Sequence, residues 1–146
     1  MKITILQVGK TKDKAFTSIE EEFLKRLSAF CDLKILTIKT SDQKTENEQI
    51  QAKIPQGHTL IALDLTGAQQ SSEQFAQFLE KQRDHEGGKI CFMIGGPKGF
   101  TPETLALADH KLSLSQMTFT HQMVRLFLLE QIYRGFMILA GKSYHY

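Results

Sequence analysis

Ile94-Gly95-Gly96-Pro97-Lys98-Gly99-Phe100 follows directly on the apolar run Ile90-Cys91-Phe92-Met93-Ile94 and leads into Thr101-Pro102-Glu103. Together these residues predict a buried strand, a tight glycine loop, and a helix with Pro102 at its first position. Glycine tolerates positive φ and has no Cβ to hold a ligand away from the backbone. Two readings stay open from the loop alone: a ligand-contacting loop at a strand's carboxyl end, or an ordinary strand-to-helix turn.

Outward from this stretch the same alternation recurs. Lys2–Val8 (KITILQV) predicts a first strand, and Lys10–Lys14 a basic, exposed loop. Thr17 and Glu20 have capping-box spacing. Phe16, Ile19, Phe23, Leu24 and Leu27 then recur at helical intervals, which predicts an amphipathic helix. Leu33–Ile38 predicts a second strand. Residues 40–53 are polar, with few apolar anchors, and are expected to form a weak surface helix or a mobile segment without chemistry. Thr59–Leu65 is near-continuously apolar, as for a strand covered on both faces, and ends in Asp64-Leu65-Thr66-Gly67. Ser71 or Ser72 caps a helix that stops at Gly87-Gly88. Beyond the glycine loop come a short helix from Pro102 to about Ala108, a strand Lys111–Ser115, a loop Gln116–Thr120 and a long helix His121–Leu139. The alternation predicts a single-domain α/β fold, a mostly parallel open sheet with helices on both faces. Such sheets bind ligands at the carboxyl ends of their strands. Three loops qualify: the one after Asp64, residues 95–99, and residues 115–120.

Composition narrows the class. The 146 residues fit one domain, and 41% hydrophobic with 23% charged residues is the balance of a soluble globular protein. No apolar run is long enough to span a membrane, and the N-terminus lacks a signal-peptide pattern. Cys31 and Cys91 give neither a disulfide framework nor metal spacing and fit a reducing cytoplasm. The net charge of +2 does not mark a nucleic-acid binder. Residues 1–40 carry 8 basic and 5 acidic groups, residues 41–86 carry 4 and 8, and residues 87–146 carry 6 and 3. If the two ends meet in space they form a local basic surface; a solvated mixed surface fits the same counts.

The glycine loop matches neither phosphate-binding pattern, because Lys98 precedes Gly99 and no Gly-Lys-Ser/Thr or Gly-x-Gly-x-x-Gly is present. No cysteine or serine has a nucleophile's setting, and the five histidines lack metal spacing, so no metal is expected. The last third carries more polar signal. His121 and Arg125 lie four apart on one helix face, as do Glu130 and Arg134, in the order that favours an ion pair. The latter pair also reads as a surface or subunit contact. Arg125 lies on an otherwise apolar face, so a carboxylate or an anionic ligand is expected beside it. His145 between Tyr144 and Tyr146 makes an aromatic tail, where most termini are polar and loose. It docks on a ligand site or a partner subunit, or simply packs.

Ile94-Gly95-Gly96-Pro97-x-Gly99, Leu112-Ser113-Leu114-Ser115-x-x-Thr118, His121-x-x-x-Arg125, Glu130-Gln131-x-Tyr133-Arg134 and Tyr144-His145 occur in this order. Together with KITILQVGK and LIALDLTG, they resemble the RlmH family across the whole chain. These are SPOUT-class, S-adenosylmethionine-dependent methyltransferases acting on N3 of a pseudouridine in large-subunit (23S) rRNA. The resemblance implies a homodimeric α/β fold whose C-terminal part, about residues 90–146, threads a trefoil knot. It implies a cofactor site at Leu63, Gly95, Gly96, Leu114, Ser115, Gln116, Met117, Thr118 and Phe119. It implies a catalytic role for His145 as base, with Tyr144 and Arg125 orienting the target base or holding phosphate. RNA contact is expected of His121, Arg134 and Lys142. It further implies a cytoplasmic enzyme whose substrate rRNA is presented in the assembled ribosome. The family tail commonly has a basic residue after Tyr-His; here Tyr146 follows. A non-catalytic RNA- or ribosome-binding protein of the same fold is the second reading, and cofactor binding separates the two.

Overall fold

The computed structural model describes residues 1–144; His145 and Tyr146 lie outside the described residues. The chain runs β1 (Lys2–Val8), α1 (Lys14–Leu27), β2 (Asp32–Ile38), α2 (Gln43–Lys53), β3 (Thr59–Gln69), α3 (Ser72–His85), β4 (Lys89–Ile94), α4 (Pro102–Ala106), β5 (His110–Ser113) and α5 (His121–Leu139). One five-stranded sheet has the order β2-β1-β4-β3-β5, and every pairing is parallel.

The pleat sorts side chains by parity. Ile3 and Ile5 of β1, Ile90, Phe92 and Ile94 of β4 and Ile61 of β3 face a core built with Leu27, Phe75, Leu79, Leu128, Leu129, Ile132 and Phe136 of α1, α3 and α5. Leu6 and Val8, Cys91 and Met93, and Leu60 and Ala62 face the other way, onto Ile50 of α2 and Leu105 of α4. The strands therefore have both faces covered, which explains their near-continuous apolar runs.

Three local expectations are corrected. Helix α1 is not capped by a Thr17–Glu20 box. Asp13 is its N-cap and accepts from Ala15 and Phe16 N–H, while Thr17 donates back to the Asp13 carbonyl and Glu20 is buried. Strand β3 does not stop at Leu65. Leu112 of β5 lies opposite both Leu63 and Ala68, so residues 64–67 bulge out and the strand resumes to Gln69. A Cβ on Gly67 would stand 2.6 Å from the Lys111 carbonyl carbon and the Leu112 nitrogen, so this close backbone approach requires glycine. Strand β5 is shorter than expected, ending at Ser113, because Ser113 Oγ turns to donate to the Ser115 carbonyl.

Within residues 40–53, assigned no role from sequence, Gln43–Lys53 form a helix capped by Asp42. Its N-terminal cap holds the Asp42 carboxyl down at about 2, chiefly through the Thr45 N–H and then the Thr45 hydroxyl. Glu46, Asn47 and Ile50 on one side of this helix are buried.

Candidate functional site

The glycine loop after β4 is a β-turn. Gly99 N–H donates to the Gly96 carbonyl at 2.9 Å, Pro97 occupies the second position, and Gly99 has φ of 71°. Positive φ is thus needed at Gly99, not at Gly95 or Gly96. Those two glycines are required by crowding: a Cβ on Gly95 would be 3.3 Å from Gly99 Cα, and one on Gly96 would lie 3.0 Å from the Glu46 carboxyl carbon, with Oε2 closer still. Helix α2 fixes this turn from behind. Gln43 Nε2 donates to the Lys98 carbonyl at 2.9 Å, Asn47 Nδ2 to the Gly99 carbonyl at 3.2 Å, and Thr101 N–H donates to Asn47 Oδ1 at 2.9 Å. Gln51 Nε2 also reaches Thr104 Oγ1. Lys98 itself is exposed.

The other two loops close on the first. The β3 bulge is tightened by Asp64 Oδ1, which accepts from Thr66 N–H and Oγ1. After β5, Ser115 Oγ accepts from Met117 N–H at 3.0 Å, and Thr120 caps α5 through Met123 N–H. The Phe119 ring meets Phe127 of α5 edge-on at 5.2 Å. Together they enclose a cavity of about 230 Å³ lined by Leu63, Ile94, Gly95, Gly96, Leu114, Ser115, Met117, Thr118, Phe119 and His121, among others. Of the expected cofactor residues, eight line this cavity. Gln116 is exposed and does not line it. The cavity's volume is just under the roughly 300–1,000 Å³ of drug-sized sites, the size range of a nucleoside.

Its chemistry suits such a guest. Leu63, Ile94, Leu114 and Phe119 supply apolar walls, and loop backbone supplies N–H and C=O groups. Burial, and then the Arg125 charge, push the His121 imidazole below its ordinary range, while Glu46 pulls it the other way. His121 is therefore neutral near pH 7. The thiols take no part: burial pushes Cys91 up to about 12 and Cys31 up to about 11, which keeps both protonated. Among the described residues no group of three His, Cys, Asp or Glu could hold a metal, and no helix is long and apolar enough to cross a membrane.

Arg125 has a different setting from the one expected. It is 3% exposed, and among the described residues no carboxylate forms an ion pair with it; the Glu20 charge acts on it from beyond Thr11. Its Nη2 donates to the carbonyls of Val8 and Gly9 and its Nη1 to Thr11 Oγ1, which in turn donates to Glu20 Oε1 at 2.6 Å. The sequence signal for a costly buried cation was right; backbone carbonyls at the end of β1 and Thr11 take its two terminal nitrogens, while its Nε is buried without a partner among the described residues. Gln122 Oε1 adds to this clamp by accepting from Lys12 and Asp13 N–H.

The remaining expected residues cluster elsewhere. Arg134 pairs with Glu130 and its guanidinium lies 4.7 Å from the Tyr144 ring centre, while Tyr144 meets Tyr133 edge-on at 5.0 Å. Burial first, then Glu130, pushes the Tyr144 phenol up, so it stays a donor. Lys142 is exposed. Arg134 is 13 residues along α5 from His121, about 20 Å at helical rise. A single chain thus brings His121 to the cavity, but not Tyr144, Arg134 or Lys142. The base expected at His145 lies outside the described residues. Sequence reasoning missed Glu46 and Asn47, which sit in a polar segment with no motif; the only available signal was Ile50 at helical spacing.

Comparison with known proteins gives three findings. A family model described as "Predicted SPOUT methyltransferase" matches residues 1–145. The chain is 42% identical, over 99% of both chains, to a protein of Clostridium kluyveri named ribosomal RNA large subunit methyltransferase H, and 41% identical, over the same shares, to one of that name from Carboxydothermus hydrogenoformans. Among solved structures, a probable methylase family protein from Haemophilus influenzae Rd KW20 superposes with a TM-score of 0.52 at 14% identity, covering 99% of this chain and 70% of that one, which is a likeness of fold.

Proposed function

Because the chain belongs to the SPOUT methyltransferase family and its relatives are large-subunit methyltransferases H, we propose that it methylates N3 of a pseudouridine in 23S rRNA with S-adenosylmethionine as donor. The observation that carries this reading is the convergence of three strand-end loops on one nucleoside-sized cavity. When bound, the cofactor supplies a methyl group activated by a sulfonium. The chain's own contribution is position and exclusion. Leu63, Ile94, Leu114 and Phe119 sandwich an apolar ring system, and the turn at 96–99, braced by α2, offers backbone groups to its polar edge. Neutral His121 at the lining leaves the cavity without a competing cation.

His145 is the base in this proposal, accepting the N3 proton, with Tyr144 as a hydrogen-bond donor to the target base. Arg125 acts indirectly, through the β1 loop it holds. Arg134, Lys142 and His121 contribute RNA contact. The distance of about 20 Å between the His121 and Arg134 ends of α5 supports a homodimer in which a second copy's tail completes each site. Exposed Met117, Met123 and Phe127 supply apolar surface for such a contact. The C-terminal trefoil knot, the single domain spanning 1–146, the cytoplasmic location and the ribosome-borne substrate belong to the same proposal. A non-catalytic RNA-binding protein has no use for such a loop-lined cavity. Titration calorimetry with S-adenosylmethionine tests the reading: saturable one-per-chain binding is expected, and a folded protein that binds none contradicts it.

A further inference from the structure

Glu46 sits directly behind the glycine wall of the cavity. It is 2% exposed, and its carboxylate lies against Gly96, where even a methyl group would overlap it. Its Oε1 accepts one hydrogen bond, from Ser41 N–H at 2.9 Å. Among the described residues, Oε2 has no hydrogen-bond donor and no cation stands within ion-pair distance, but Oε2 is not one of the fully buried unpaired atoms and keeps a small opening to solvent. Burying a carboxylate with so little compensation is costly. The N-terminal turn of α2 offsets part of that cost through its dipole. The position is also rigid. On the same helix Gln43 and Asn47 bind the turn at 98–101, and Gln51 binds Thr104. Gly96 lines the cavity and Glu46 does not, and the carboxylate occupies the space that a side chain on Gly96 would take.

A fixed, poorly compensated negative charge behind a low-dielectric wall acts on whatever cation enters the space in front of it. We propose that Glu46 is the counter-charge for the cationic centres of the cofactor, selecting a charged S-adenosylmethionine over neutral adenosine analogues. This rests on the cofactor reading above. The glycine at 96 then makes room for the carboxylate. His121 also lines the cavity, and Glu46 draws it towards its charged form, although burial and the Arg125 charge outweigh that pull.

The test compares two ligands by calorimetry. S-adenosylmethionine carries the sulfonium and the amino acid; 5′-methylthioadenosine keeps the adenosine and the sulfur but is neutral. Glu46→Gln retains an acceptor for Ser41 N–H, and Glu46→Met is a second neutral side chain of similar size that forms helix well. In whichever variant melts as a folded protein, S-adenosylmethionine should bind about tenfold more weakly, a loss of roughly 1.4 kcal/mol, while methylthioadenosine stays within about twofold of wild type. Equal weakening of both ligands assigns Glu46 to scaffolding alone and overturns the proposal, as does unchanged affinity for both. Wild-type protein that binds neither ligand removes the cofactor reading itself, an outcome distinct from either.

Discussion

Arg125 Nη2 donates to the Gly9 carbonyl at 2.7 Å, tying the first turn of α5 to the end of β1 across 116 residues of sequence. The same nitrogen reaches Val8 and its neighbour reaches Thr11. This bond places the start of α5, and with it His121, at the mouth of the cavity. Arg125→Ala removes the guanidinium donor from the Val8 and Gly9 carbonyls and should cost about 2–4 kcal/mol in urea unfolding. Arg125→Lys should restore only part of that, because one ammonium cannot replace the guanidinium fork. An unchanged urea midpoint, with RNA affinity lost, would instead make Arg125 an RNA contact.

Gly96→Ala drives a methyl group into the Glu46 carboxylate. Overpacking of this kind costs roughly 1–3 kcal/mol, and it should also weaken cofactor binding by displacing the cavity wall. The double variant Gly96→Ala/Glu46→Ala should recover part of the stability, giving a non-additive cycle. Strict additivity in thermal or urea melts would mean the two residues do not touch.

Two further glycines separate by what surrounds them. At Gly67 the obstructing atoms are the backbone of β5, at 2.6 Å, and cannot move aside. At Gly135 the nearest is Leu79 Cδ1 at 2.8 Å, the end of a flexible side chain, and alanine gains roughly 1 kcal/mol of helix propensity. Gly67→Ala should therefore be clearly destabilising and Gly135→Ala close to neutral. The reverse ranking in denaturant melts would contradict the β3–β5 register.

His121 provides a pH signature. Its folded pKa lies below the ordinary value of about 6.5. The unfolded chain therefore binds the proton more readily, and this residue's contribution to stability falls as pH drops below about 6.5 towards the folded value. Protonation also places a cation at the cavity. S-adenosylmethionine affinity should decline in acid, and His121→Gln should flatten that acid limb. A limb that persists in the variant assigns the titration elsewhere.

The architecture was legible because the strands are buried on both faces, so Lys2–Val8, Thr59–Leu63 and Lys89–Ile94 read as apolar runs between strong turn signals. The three site loops were legible for the same reason, as each ends such a run. What was not legible is contact across the chain. Thr17–Glu20 spacing suggested a cap, yet Glu20 is needed by Thr11, itself bound by Arg125 from the last helix. Residues 64–67 looked like a strand end because pairing with a later strand, not local propensity, restarts β3. Glu46 and Asn47 looked like solvated polar residues because their partners lie about 50 positions later, in the glycine loop.

The central claim is methylation of a pseudouridine in the large ribosomal subunit. It is tested most directly by transfer of labelled methyl from S-adenosylmethionine to ribosomes with and without that pseudouridine, followed by nucleoside analysis. The account expects one methyl per ribosome, recovered as N3-methylpseudouridine, and little transfer when uridine replaces the pseudouridine. No transfer by a folded protein that binds the cofactor, or equal transfer to both kinds of ribosome, would contradict it.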